Sequence, residues 1–224
     1  MNINRQFKFK NYFDITEGNR NVDFIVIHHT QADSIKEAVS LYIEHKVSAH
    51  YLIASDGEVF CLVEENDIAY HAGVSFWNGV DSLNNKSIGI ELVCENPFEI
   101  GFRDEQMVSL IQLCNKLKKK YNVDAKNIVG HSDIAYFKDS GFLDRKQDPS
   151  SLFNWSMLVE KDLAVYSDLI KNDVENCVLG EKNEKIKEFK KSAQLFGYKV
   201  QNLDDIFDDE MKSLLEVVKR RFLR

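Results

Sequence analysis

The spacing of apolar and polar positions changes period several times along the chain, and each change marks an element. Residues 22–28, VDFIVIH, form a run of β-branched and aromatic residues too short for a helix, which predicts a buried strand. Over 33–46 the period lengthens. Ile35, Ala38, Val39 and Tyr42 share one face, and Ser34 stands three residues before Glu37, the spacing of a capping box, so an amphipathic helix is expected. Residues 50–55 and 58–63 flank Asp56-Gly57, a pair suited to the positive backbone angles of a hairpin. Residues 66–86 lack a period and read as a loop long enough to imply a function, and SIGIELV (87–93) reads as a strand.

Between 104 and 121, Met107, Leu110, Ile111, Cys114 and Leu117 recur at helical spacing, with Lys118, Lys119 and Lys120 suited to the C-terminal end of the dipole. Residues 127–130 predict a short strand ending at His131. Strands alternating with helices, plus a hairpin, imply an α/β fold with a central mixed sheet flanked by helices. After Trp155 the pattern shifts. Residues 163–185 suggest a helix and a polar connector, and 186–196 and 210–222 suggest short amphipathic helices. The expected organisation is a main domain over 1–163 and a small C-terminal helical module over 180–224.

Composition narrows the class of partner. With 224 residues, 44% hydrophobic and only 2 Pro, the chain has material for a substantial core and none of the bias of Pro-rich or collagen-like sequences. The formal charge of -7 argues against nucleic acid as a partner. No transmembrane segment or export signal is evident in the sequence as written, which points to the cytoplasm, or to the periplasm had a leader been removed. Cys61, Cys94, Cys114 and Cys177 form no CxxC pair, so free buried thiols are expected and no cysteine-based zinc site.

Four histidines fall at the ends or starts of predicted elements: His28, His29, His50 and His131. Any one of them alone reads most simply as structural. A catalytic zinc takes three His or carboxylate ligands with a fourth position open, and His28, His131 and Asp148 supply such a set, though spacing by itself signals it only weakly. Adjacent strand residues face opposite ways, so His28 and His29 are not expected to share a metal. Glu91, inside an apolar strand, is either a solvent-facing residue or a functional carboxylate.

The motifs VIHHT (26–30), SAHYLIASDGEVF (48–60), YHAG (70–73), NNKSIGIELV (84–93), GHSDIA (130–135) and RKQDP (145–149) occur in that order. Together they resemble the zinc-dependent N-acetylmuramoyl-L-alanine amidases of the AmpD and AmiD type, relatives of peptidoglycan-recognition proteins, over roughly residues 22–155. The resemblance implies that His28, His131 and Asp148 bind Zn2+, that Glu91 is the general base and that Lys146 stabilises charge on the scissile carbonyl oxygen. It implies hydrolysis of the amide between N-acetylmuramic acid and L-alanine in peptidoglycan or muropeptides. A peptidoglycan-recognition protein without catalysis is the alternative. A zinc peptidase is disfavoured by the absence of HExxH.

By the same resemblance His50 occupies a structural or ligand-supporting position that could also reach substrate. His71 and Trp77, in the long loop, either hold the glycan or peptide stem or pack as aromatics, and His45 reads as a helix-surface residue. Two departures stand out. YFKDSGFLD (136–144) is longer than the family's short Pro-Gly linker and should remodel the cleft rim, and Ser150 replaces the Gly that follows the DP pair. The tail, with LFGYKV, FDDEM and a helix ending RRF, resembles the peptidoglycan-binding module of AmiD-type enzymes. A helical extension packed on the main domain is the other reading, with Lys219, Arg220, Arg221 and Arg224 solvating a helix end.

Overall fold

The computed structural model describes residues 2–7, 9, 11–139, 141–171 and 174–222; Arg224 lies outside them. In chain order the strands are β1 (Ile3–Asn4), β2 (Phe13–Asp14), β3 (Phe24–His29), β4 (Tyr51–Ile53), β5 (Val59–Cys61), β6 (Ile68–Ala69), β7 (Phe76–Trp77), β8 (Val80–Asp81), β9 (Ser87–Leu92) and β10 (Ile128–Gly130). The α-helices are α1 (Ile35–His45), α2 (Asp104–Tyr121), α3 (His131–Ile134), α4 (Trp155–Val159), α5 (Glu184–Phe196) and α6 (Asp209–Phe222). Six strands form one mixed sheet in the order β1-β5-β4-β9-β3-β10. β3 runs parallel to β9 and β10, and the hairpin β4/β5 supplies the antiparallel pair.

Strand β3 is apolar at every position before its histidines because both of its faces are covered. Ile25 and Ile27 pack against Met107, Leu110 and Leu113 of α2 and Trp155 of α4. Phe24 and Val26 share a core with Trp77, Val129, Tyr198 and the C-terminal helices through Phe189, Leu214 and Val218. Each fully buried aliphatic side chain contributes about 1.5–3 kcal/mol. The C-terminal helices thus share a core with one face of the sheet.

Helix α1 begins as its spacing implied: the Ser34 side chain accepts the Glu37 N–H, and Ala38 and Tyr42 are buried. At the hairpin, Gly57 has φ +87, and a Cβ there would fall 2.7 Å from the Glu105 carbonyl oxygen, so the turn can nest against α2 only without a side chain.

The structure departs from expectation in five places. The polar N-terminus supplies β1 and β2, and α4 is a short helix that had no predicted counterpart. Residues 66–86 are not a bare loop but contain β6, the β7/β8 hairpin and a 3-10 turn at Leu83–Lys86. His131 opens α3 instead of closing a strand. Among the described residues from 163 up to the start of α5 at Glu184 there is a 3-10 turn at Asp168–Lys171 and no α-helix. The Ser167 hydroxyl accepts the Leu169 N–H there, a local bond that competes with helical pairing. All four cysteines are free thiols, and no helix among the described residues is long and apolar enough to cross a membrane.

Candidate metal centre and active site

The parallel pairing of β3 with β9 sets His28 opposite Glu91, one residue from the C-terminal end of each strand, the edge at which open α/β sheets place their sites. Because Phe24, Val26 and His28 lie on one face, they pair with Ser87, Gly89 and Glu91 on the same face of β9. The opposite face of β9 carries Ile88, Ile90 and Leu92, buried against α2. The single carboxylate of SIGIEL therefore points to the site side of the sheet and the branched residues to the core.

His131, at the start of α3, and Asp148, from the segment ahead of Pro149, converge on His28. The His28 and His131 Nδ1 atoms are 3.1 Å apart, and Asp148 Oδ2 lies 2.9 Å from the first and 3.1 Å from the second. The surrounding hydrogen bonds assign the tautomers. Ser87 Oγ donates to the Leu83 carbonyl at 2.7 Å, so it accepts from His71 Nε2–H at 3.1 Å. His71 Nδ1 is left bare and accepts from His28 Nε2–H at 3.0 Å. The Ala72 carbonyl, 3.2 Å from His131 Nε2, can only accept. Both Nδ1 lone pairs and a carboxylate oxygen therefore face one another, a donor set that could hold a metal ion, with its three ligand atoms within 4.8 Å of one another.

Electrostatics sharpen this picture. Burial, reinforced by neighbouring His131, lowers His28 to about 4, so its imidazole is neutral near pH 7. Burial alone would raise Asp148, but the His131 and His28 imidazoles hold its carboxyl well below the ordinary value. Glu91 goes the other way. Burial, then the charge of Asp148, pushes it up to about 8 against the opposing pull of Lys146. The Glu91 side chain is half-buried, and its carboxylate and the Tyr42 hydroxyl face each other in an enclosed space with no other hydrogen-bond partner among the described residues.

Glu91, Lys146 and Asp148 line one groove of about 610 Å3, walled by α1 through Ala38, Leu41 and Tyr42 and by residues 144–147 opposite. His45, exposed at the end of α1, sits at its mouth.

Three expected substrate contacts take other places. His50 is fully buried, with Nδ1 accepting the Gly89 N–H and Nε2 beside Arg20 and the Asp67 carbonyl. Trp77 is fully buried against Tyr198 and donates to the Lys126 carbonyl, so it packs as an aromatic. His71 is buried behind His28 and orients it; neither it, His50 nor Trp77 lines the groove. His29 turns away from the metal ligands, accepts the Ser150 N–H and lies on Phe98 and Phe102. The tautomer-setting role of His71 was missed in the sequence, where the signal was Gly89: a Cβ at that position would fall 2.4 Å from the His71 ring.

A family model described as N-acetylmuramoyl-L-alanine amidase matches residues 18–151. The chain belongs to that family. It is 32% identical over 163 residues to the N-acetylmuramoyl-L-alanine amidase AmiD of Escherichia coli, covering 66% of this chain and 55% of AmiD. It is 40% identical over 120 residues to the 1,6-anhydro-N-acetylmuramyl-L-alanine amidase AmpD of the same organism, covering 52% of this chain and 61% of AmpD. The matches thus span between half and two thirds of the length of these amidases. A solved structure of E. coli AmiD, in complex with the substrate anhydro-N-acetylmuramic acid-L-Ala-D-gamma-Glu-L-Lys, superposes with a TM-score of 0.73 at 25% identity. That similarity covers 94% of this chain and 84% of AmiD, and so extends the likeness through the C-terminal helices.

Proposed function

We propose that this protein is a zinc-dependent amidase that hydrolyses the bond between N-acetylmuramic acid and L-alanine in muropeptides or peptidoglycan. The observation that carries the reading is the triangle of bare donor atoms on His28, His131 and Asp148, with Glu91 and Lys146 in the groove beside it. Its edges of 2.9–3.1 Å approach the ~3.3 Å between donors around a tetrahedral zinc with bonds of about 2.0–2.1 Å. Two imidazoles and one carboxylate leave a fourth position for substrate or water, as catalytic sites require and structural sites do not. The relatives' names and the AmiD complex support the substrate class.

When bound, zinc supplies Lewis acidity that polarises an amide carbonyl and acidifies a water. The chain's own residues do the rest. Glu91 accepts the proton of the attacking water and carries it to the leaving amine of L-alanine, and it lines the groove together with Lys146 and Asp148. Lys146, exposed on the groove rim, opposes charge developing on the carbonyl oxygen. Tyr42 and Leu41 shield the groove floor from solvent.

The test is incubation of zinc-loaded protein with anhydro-muropeptides and with intact peptidoglycan, followed by mass spectrometry. Separation of peptide from sugar is expected, and its absence from both rejects the activity. Glu91→Ala should retain zinc and lose turnover.

A further inference from the structure

Two adjacent arginines near the end of α6, expected only to solvate a helix terminus, instead reach the two chain segments that carry the metal ligands. Arg221 is buried. Its Nη1 lies 2.9 Å from Asp133 Oδ2, its Nη2 donates to the Ile128 carbonyl at 3.1 Å, and its guanidinium stacks 3.4 Å from the Trp155 ring centre. Asp133 is two residues beyond His131. Its Oδ2 also accepts the Gly130 N–H at 2.7 Å, and its Oδ1 accepts the Tyr198 hydroxyl at 2.9 Å. Both partners of Arg221 therefore bracket the turn from β10 into α3 that presents His131.

Arg220 grips the other segment. Its two terminal nitrogens lie 3.4 and 3.2 Å from the two oxygens of Asp144, two residues before Lys146 and four before Asp148. The Asp144 N–H is in turn fixed on the Tyr136 carbonyl at 2.8 Å. Asp144 closes the segment that is longer here than the family's linker, so the arginine sits where the rim has most need of an anchor. A buried ion pair such as Arg221–Asp133 adds little stability over apolar residues of the same volume, but it does hold backbone in one geometry.

We propose that α6 is a positioning element of the metal site: Arg221 sets the turn that presents His131, and Arg220 sets the rim that presents Lys146 and Asp148. The C-terminal helices are then a working part of the catalytic centre whatever else they bind. The catalytic half of this inference rests on the amidase reading; the half concerning the metal does not.

The test uses the full chain and three readouts: zinc affinity by competition with a chromophoric chelator, kcat and KM on a muropeptide, and the melting midpoint without zinc. Arg220→Gln, which breaks a partly exposed pair, should leave the midpoint within about 2 °C while kcat falls about tenfold at constant KM. Arg220→Gln/Asp144→Asn should be no worse than either single change, because both remove one interaction. The charge-swapped pair R220D/D144R should recover part of the loss. Arg221→Lys keeps the charge but loses the fork, and should weaken zinc about tenfold, the effect usual for groups that orient ligands. Lys219→Gln, on the same helix and paired only with Glu216 among the described residues, is the control.

Parent-like kcat in Arg220→Gln together with parent-like zinc affinity in Arg221→Lys overturns the proposal, even if the midpoints fall. If Arg221→Lys fails to fold, the Arg220 variants decide it. A parent protein that binds zinc but leaves muropeptides intact rejects the amidase reading alone, and the zinc affinity of the Arg221 and Arg220 variants still decides the clamp.

Discussion

Replacing His71 with Leu tests the hydrogen-bond relay that prepares the metal centre. His71 touches no ligand position, yet its Nδ1 takes the hydrogen on His28 Nε2 and so leaves the His28 Nδ1 lone pair facing His131 and Asp148. Leu has similar bulk and no acceptor. Two losses follow. The His28 N–H is buried without a partner, at about 1–3 kcal/mol, and the ring is freed to adopt the tautomer that puts a hydrogen inside the ligand triangle. Groups that orient metal ligands are commonly worth 10- to 100-fold in metal affinity, or about 1.4–2.8 kcal/mol.

Titrating the metal-free variant with zinc against a chromophoric chelator should therefore show a dissociation constant raised at least tenfold. His71→Asn separates the relay from packing, because its amide oxygen can stand near the place of Nδ1, and it should recover part of the affinity. Zinc binding by His71→Leu within twofold of the parent would refute the tautomer argument, and so would equal losses in the Leu and Asn variants.

Three further outcomes are expected. Gly89→Ala should weaken zinc at least as much as His71→Leu in the same titration, because the new Cβ would sit 2.4 Å from the His71 ring and must displace it. Glu91→Gln should abolish turnover and also change the pH dependence of metal-free stability, measured by urea unfolding at pH 5 and pH 8.5. With Glu91 held at about 8 in the folded chain against 4.5 in the unfolded one, the folded state keeps a proton that the unfolded state has lost. Parent stability therefore falls as pH rises from about 4.5 to about 8, and Gln should remove about 4 kcal/mol of fall between the two pH values, while an unchanged slope would show the carboxylate already ionised. Ser150→Gly should keep turnover within twofold but lose about 1–2 kcal/mol in urea unfolding, since the buried Ser150 hydroxyl ties the DP segment to the Pro97 carbonyl and accepts the Leu152 N–H.

What was legible in the sequence follows from how local its cause is. β3, α1, α2 and the β4/β5 hairpin are written in periodicity that any window reveals, and α2 spans Asp104–Tyr121 as its apolar spacing implied. β1 and β2 are two-residue pairings selected by distant partners, β5 and β6, so no period announces them. The grouping of His28, His131 and Asp148 was legible through strand ends and family motifs. His71 was not, because its importance depends on which nitrogen carries hydrogen, a consequence of Ser87 donating to Leu83. Arg220 and Arg221 were misread for a related reason: their partners, Asp144 and Asp133, lie 76 and 88 residues away.

The environments of the two groove carboxylates are not interchangeable, and the fold explains why. Asp148 lies against both histidines and is held ionised, well below its ordinary range, the form in which a carboxylate can bind a metal. Glu91, on β9 opposite His28, is pushed the other way, to about 8, by burial first and the charge of Asp148 second. The two are linked, because the negative charge of Asp148 is the largest contribution to raising Glu91 after burial. Moving a carboxylate to the adjacent positions of β9 would turn it toward α2 and the apolar core. The alternation of SIGIEL thus aims the carboxylate proposed as base, and the hydrogen bonds behind His28 set which nitrogen it offers to the proposed metal.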